Sequence, residues 1–122
     1  MFIILLILNI VLALAFVASG GMKVARPPAA LKSSGMLWVG DFSPAVVKLI
    51  GAVEVLGGIG LVLPLVTNIA PVLTPIAAVG LAIVMIGAVA VHVRRKEAFI
   101  PALVLAALSV VSAVLGFVYL AR

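Results

Sequence analysis

The stretch that decides the fold is Leu49–Pro64, which reads LIGAVEVLGGIGLVLP. It holds a single charged side chain, Glu54, in an otherwise apolar run that follows directly on Lys48. Such a run makes up most of a helix that crosses the hydrocarbon of a bilayer, which needs about 20 residues. A carboxylate in the middle of a span is energetically costly, so Glu54 is the first candidate functional residue.

The rest of the chain has the same apolar character. It contains 122 residues, of which 67% are hydrophobic and 9% are charged, whereas soluble domains are about 45–50% apolar and about 25% charged. So few polar side chains cannot cover a water-exposed surface, which predicts an integral membrane protein of one domain. A nucleic-acid module, a disordered tail and a secreted disulfide scaffold are excluded, and without cysteine no thiolate chemistry or cysteine-ligated metal site is possible.

The positions of charge and proline divide the chain into spans. The uncharged runs 1–22 and 98–121 each fit one helix, whereas the run 55–93 is too long for one and is interrupted by prolines, which end helices. We predict an all-α fold over residues 1–122, an up-down bundle of four transmembrane helices at about 2–21, 45–64, 73–93 and 100–120. The first span lacks a basic segment before it, so we expect it to be retained and not cleaved as a signal peptide.

Lysine and arginine predict the orientation of these spans. Six of the eight bases follow the first or the third span, Lys48 lies at the near end of the second span on the same face, and none follows the second span. The positive-inside rule therefore places that face in the cytoplasm and both termini outside. The same charges attract anionic lipid, and a phosphate-bearing ligand is the alternative interpretation. The connection at about 22–44 is expected on the membrane surface, as a short helix or partial lid or as an amphiphilic linker.

Four polar residues fall within about 8 Å of one depth when each span rises 1.5 Å per residue. Glu54 is close to the bilayer centre, and Asn9, Ser109 and Ser112 lie in the same layer. One interpretation is a ligand-binding site at the midplane, lined by all four, with Lys23 as a cation near Glu54. The other is that the serines bond to their own helix while Asn9 joins two helices.

His92 is the only histidine and lies near the predicted cytoplasmic end of the third span. It is interpreted either as a proton relay or hydrogen-bonding group for a head group or quinone carbonyl, or as an interfacial anchor. A histidine-rich metal site is excluded, and no nucleophile–base pair predicts a catalytic residue, so the chain is not expected to be an enzyme on its own. Gly51, Gly57 and Gly58 permit the close approach of a helix or a ligand.

Three segments resemble the DoxX-like family of small bacterial membrane proteins. Leu49–Pro64 resembles the second-helix signature of that family, Met85–Glu97 resembles the end of its third helix, and Gly20–Lys23 resembles its first-helix exit. The resemblance implies a compact four-helix bundle in a bacterial cytoplasmic membrane. It also implies that the functional positions of the family correspond to Glu54, His92 and Lys23 of this chain.

The family name comes from a small subunit linked to a quinone-reducing oxidoreductase. The resemblance therefore implies an accessory subunit of a membrane redox or envelope complex, with a quinone or bound lipid as ligand and no covalent cofactor. The expected partners are the lipid bilayer and another membrane protein or a second copy of the chain, with no nucleic acid. The alternative function is a ligand-free assembly partner, whose glycine-rich second helix contacts another protein.

Overall fold

The computed structural model describes residues 1–122. Helices account for 84% of these residues, and there are no strands. The predicted all-α fold class is therefore confirmed. In chain order the α-helices are α1 (Phe2–Ala25), α2 (Pro28–Ser33), α3 (Pro44–Thr67), α4 (Leu73–Arg94) and α5 (Ile100–Ala121), with a 3-10 helix at Leu37–Asp41. The four long helices, α1, α3, α4 and α5, are each long and apolar enough to cross a membrane.

The long helices form two closely packed pairs, α1 with α3 and α4 with α5. The pairs meet where α3 contacts α4 and α1 contacts α5, so the bundle is closed. Its core takes side chains from every long helix, among them Phe16, Leu61, Leu81 and Ala106. The outward faces carry exposed isoleucine, valine and leucine, which suits contact with lipid.

Glycines allow α1 and α3 to approach each other closely. A methyl group added at Gly20 would overlap the carbonyl oxygen of Gly51, and one at Gly51 would lie 2.7 Å from the carbonyl oxygen of Gly20. Gly58 also faces α1, where an added methyl group would lie 2.9 Å from Val17, while Gly57 packs against Leu81 of α4. All of these glycines are therefore occupied by contacts inside the bundle.

The helix α3 continues through Pro64 to Thr67, past the expected end at residue 64. Proline lacks an N–H, so the carbonyl of Gly60 one turn earlier loses its usual helical partner. The hydroxyl of Thr74 on α4 donates to that carbonyl oxygen at 3.1 Å. The helix survives its proline because a neighbouring helix supplies the missing donor.

The connection between α1 and α3 folds over one end of the bundle. The buried side chains of Leu31, Val39 and Val47 form a small core of their own beneath it, with Trp38 and Phe42 packed against them. We call residues 28–42 the cap, and we call the end that it covers, where α1 and α4 terminate, the basic end. The short α2 is the short helix that was one of the expectations for this connection.

Candidate functional site

A cavity of about 840 Å³ lies at the basic end, between the α1–α3 pair and the α4–α5 pair and beneath the cap. This volume is within the range of small-molecule sites, about 300–1,000 Å³. Twelve of its twenty lining residues are hydrophobic. The polar and charged side chains of the lining are Ser19, Lys23, Ser34, Glu54 and His92.

The wall of the cavity that α1 and α3 form holds a buried ion pair between these two helices. The Lys23 Nζ atom lies 2.5 Å from Glu54 Oε1, and the two side chains are only 8% and 1% exposed. The close contact of α1 and α3 at Gly51 brings the start of the Lys23 side chain alongside α3, since the Lys23 Cβ atom is one of the atoms nearest to a methyl group added at Gly51. The predicted proximity of Lys23 and Glu54 thus has a direct cause in the glycine contact.

The two members of the pair are not equally supported. Lys23 Nζ also donates to Ser19 Oγ at 2.9 Å and lies 5.7 Å from the ring centroid of Trp38, within the range of a cation–π interaction. Glu54 accepts a hydrogen bond only from Lys23. Lys48, the other cation near Glu54 in sequence, instead donates to the Val24 carbonyl at 2.9 Å. The buried carboxylate therefore depends on one lysine.

His92 lines the opposite wall, on α4. Its Nδ1 atom lies 2.6 Å from Glu97 Oε1, and Arg95 Nε donates to the other oxygen of Glu97 at 3.4 Å. Arg95 also forms an ion pair with Asp41, which ends the 3-10 helix of the cap. A chain of polar contacts therefore joins the cap to the cavity wall through the α4–α5 loop.

Charge along this chain shifts two pKa values outside the spans. The hydrogen bond from His92, followed by the bond from Arg95, lowers the pKa of Glu97 below its ordinary value, against the opposing effect of partial desolvation. The hydrogen bond to Asp41 is the largest cause that raises the pKa of Arg95. Glu97 is therefore a carboxylate at neutral pH, and it accepts hydrogen bonds from both neighbours.

Of the four residues expected at one midplane site, Asn9, Glu54, Ser109 and Ser112, only Glu54 lines the cavity. Ser112 Oγ donates to Asn9 Oδ1 at 2.5 Å, and Asn9 Nδ2 donates to the Leu61 carbonyl at 2.8 Å. Leu61 lies seven residues beyond Glu54, or about 10 Å along the helix, so this cluster is separate from the ion pair. Ser109 is fully buried without a hydrogen-bond partner, and neither it nor the other two lines the cavity.

Sequence reasoning missed three residues of the site, Asp41, Arg95 and Glu97. The bases beside Glu97 were visible as a charged loop, and His92 five residues earlier was already a candidate. Nothing in the pattern, however, brings Asp41 to Arg95 across 54 residues of chain. No group of three or more histidine, cysteine, aspartate or glutamate side chains is arranged to hold a metal ion.

Comparison with known proteins agrees with this architecture. The model of the DoxX-like family matches residues 7–117, which include the ion pair, His92 and the cap. No curated protein sequence and no solved structure matches the chain. The match covers nearly the whole chain and confirms the predicted resemblance.

Proposed function

This chain belongs to the DoxX-like family, and we propose that it binds a quinone or another lipid-like molecule in the cavity beneath the cap. The observation that carries the proposal is the cavity itself, in which a buried Lys23–Glu54 pair and His92 face each other across apolar walls. Ligand pockets are mostly apolar, with a few polar groups that fix orientation, and this composition matches that pattern.

The polar and apolar parts of the cavity suit different parts of one ligand. An ammonium, a carboxylate and an imidazole can together hydrogen-bond a polar head group. The surrounding side chains of α4 and α5, such as Val84 and Leu105, suit an aliphatic tail. Trp38 and Phe42 of the cap, whose rings meet edge to face at 5.7 Å, offer aromatic surface to a planar head group.

The proposed role is that of an accessory subunit that supports a membrane redox or envelope complex. The chain has no cysteine and one histidine, so electrons carried by a bound quinone would pass to a partner protein. We further propose that the basic end faces the cytoplasm of a bacterial cell and that both termini lie outside. Fusions of a fluorescent protein to the α4–α5 loop and to the C-terminus test this orientation, because the fused fluorescent protein emits only when it folds in the cytoplasm.

The alternative, a ligand-free assembly partner, depended on glycines of α3 that could contact another protein. Gly51 and Gly58 instead face α1, and Gly57 faces Leu81 of α4. These contacts favour ligand binding over the alternative, since the glycine-rich face is already covered within the chain.

Fluorescence of Trp38 provides a direct test, because it is the only tryptophan and it lines the cavity. Decylubiquinone is titrated into lipid nanodiscs that contain the protein. Site binding gives saturable quenching, whereas dissolution of the quinone in lipid gives quenching that keeps increasing with concentration. The proposal predicts a saturable component.

Two matched glycines of α4 make the test specific. A Cβ atom added at Gly80 or at Gly87 has no other atom within 4 Å, but only Gly87 lines the cavity. We expect Gly87→Leu to weaken saturable quenching by about tenfold or more, since its side chain fills part of the site, and Gly80→Leu to leave it unchanged. Equal quenching in both variants would exclude the cavity as the binding site.

A further inference from the structure

The polar atoms of His92 have different surroundings. Its Nδ1 atom is held by the carboxylate of Glu97 at 2.6 Å, while Nε2 has no hydrogen-bond partner in the protein. Because a carboxylate only accepts hydrogen bonds, the contact requires a proton on Nδ1. In a neutral imidazole, the remaining nitrogen is then an acceptor.

We propose that Glu97 is a positioning residue that makes the Nε2 atom of His92 a hydrogen-bond acceptor, so that the cavity selects a head group with a donating hydroxyl. The inference rests on the proposed binding of a lipid-like ligand in this cavity. It names the class of that ligand as hydroxyl-bearing, such as a phenol, a hydroquinone or a lipid alcohol. A ligand that presents only carbonyl or ether oxygens, such as an oxidised quinone, forms no hydrogen bond with Nε2; it still binds, with Lys23 as the remaining donor in the cavity, but more weakly than its hydroxyl form.

Glu97 is itself held in place from both sides. Its second oxygen accepts from Arg95, which is fixed in turn by the ion pair to Asp41 of the cap. Two donors therefore orient the carboxylate, and its lowered pKa keeps it charged at neutral pH, so that it accepts the Nδ1 proton of His92.

Protonation of the imidazole inverts the preference, because Nε2 then carries a proton and donates. The charged groups around His92 are Arg94 on its own helix, Arg95 and Glu97 in the following loop, Lys23 of α1 and Glu54 of α3 across the cavity, and Asp41 of the cap through Arg95. The lining residues from α5 are uncharged. The neutral form of His92 therefore favours a hydroxyl ligand, and the protonated form favours a carbonyl ligand.

Nitrogen NMR of protein labelled with ¹⁵N-histidine tests the tautomer without any ligand. The single histidine gives one pair of ring signals that need no assignment. In lipid nanodiscs at alkaline pH, we expect the proton on Nδ1 in the wild type. Removal of the carboxylate in Glu97→Ala moves the proton to Nε2, the tautomer that a free imidazole side chain prefers. The control Arg26→Ala, which removes an exposed charge outside this network, leaves the proton on Nδ1.

The ligand preference is measured by calorimetry with 4-nonylphenol and 4-nonylanisole, which differ in whether the head group can donate. One hydrogen bond predicts about 3- to 10-fold tighter binding of the phenol, after subtraction of partition into empty nanodiscs. In Glu97→Ala the ratio falls to about one or inverts, because Nε2 becomes a donor.

The outcomes separate the two proposals. Equal binding of both probes to the wild type, or a wild-type proton on Nε2, overturns the specificity role of Glu97 and leaves the binding function intact. Failure of both probes to bind overturns the proposed function, and the ligand preference with it. A shift of tautomer in Glu97→Ala together with loss of the phenol preference supports the inference.

Discussion

Replacement of either member of the buried ion pair should destabilise the bundle, but by different amounts. Lys23→Met leaves the Glu54 carboxylate 1% exposed and without its only hydrogen-bond donor. Glu54→Met leaves the ammonium with Ser19 Oγ and the ring of Trp38, and lysine near the end of a span can extend toward the interface. The lysine substitution is therefore the more damaging of the two.

The magnitudes follow from the burial of the pair. Removal of one partner from a buried ion pair costs about 3–5 kcal/mol, and Lys23→Met should lie near the lower end of that range because Glu54 can take up a proton. For Glu54→Met we expect about 1–2 kcal/mol, since a charged donor keeps two of its three interactions. The double variant replaces both charges by apolar side chains of similar size, so its stability should return to within about 1 kcal/mol of the wild type.

The free energy of unfolding is measured by titration with sodium dodecyl sulfate in mixed micelles, followed by far-ultraviolet circular dichroism. The wild type, the two single variants and the double variant form a complete cycle. Two results contradict the reasoning: a Glu54→Met variant as unstable as Lys23→Met, or a double variant less stable than either single one. Either would mean that Lys23 does not compensate the burial of Glu54.

Three further predictions use the same unfolding assay. Thr74→Val should lower the free energy of unfolding by about 1–3 kcal/mol, because it leaves the Gly60 carbonyl without a donor. The loss should be smaller in a Pro64→Ala background, where the restored N–H bonds to that carbonyl, and an equal loss in both backgrounds would contradict this role of Thr74. Gly20→Ala should lower the free energy of unfolding by about 1–3 kcal/mol, because the added methyl group overlaps α3. Gly21→Ala, whose methyl group meets open space, should raise it by up to about 1 kcal/mol, and similar values for the two variants would argue against a close α1–α3 contact. Because folding lowers the pKa of Glu97, this residue stabilises the protein at pH values above its ordinary pKa, and that stabilisation is lost as the pH falls through the pKa of the folded state. Between about pH 6 and pH 3 the free energy of unfolding should therefore fall more steeply for the wild type than for Glu97→Ala, and parallel curves would refute this.

The fold could be predicted because a membrane imposes strict demands on sequence. The scarcity of charge, the length of the uncharged runs and the positions of the bases sufficed for four spans and a surface connection. The predicted end of α3 was less accurate. Pro64 leaves the Gly60 carbonyl without its helical donor, but Thr74 supplies a donor from α4 and the helix continues. That compensation comes from a different helix and cannot be read from local sequence.

The site was only partly predictable for a related reason. Depth along a span follows from counting residues, but α1 continues to Ala25, past its expected end at residue 21, so Asn9 lies level with Leu61 and about 10 Å beyond Glu54. The four polar side chains all face the interior of the bundle, whereas the apolar positions form no stripe that would show which faces of the helices are buried. Glu54 and Lys23 came together as expected, whereas Asn9 and Ser112 turned out to form a separate cluster.

The distribution of hydrogen bonds between the two helix pairs makes the bundle mechanically asymmetric. Away from the cap, Ser112 of α5 bonds to Asn9 of α1, and Thr74 of α4 bonds to Gly60 of α3. At the basic end, the pairs are joined by no side-chain hydrogen bond between long helices, and the half-exposed Asp41 closes the gap through Arg95 alone. Such a surface ion pair contributes about 0–1 kcal/mol. Fewer polar contacts therefore hold the two helix pairs together at the basic end than at the far end, and under the proposed function the basic end is where a ligand from the membrane would enter.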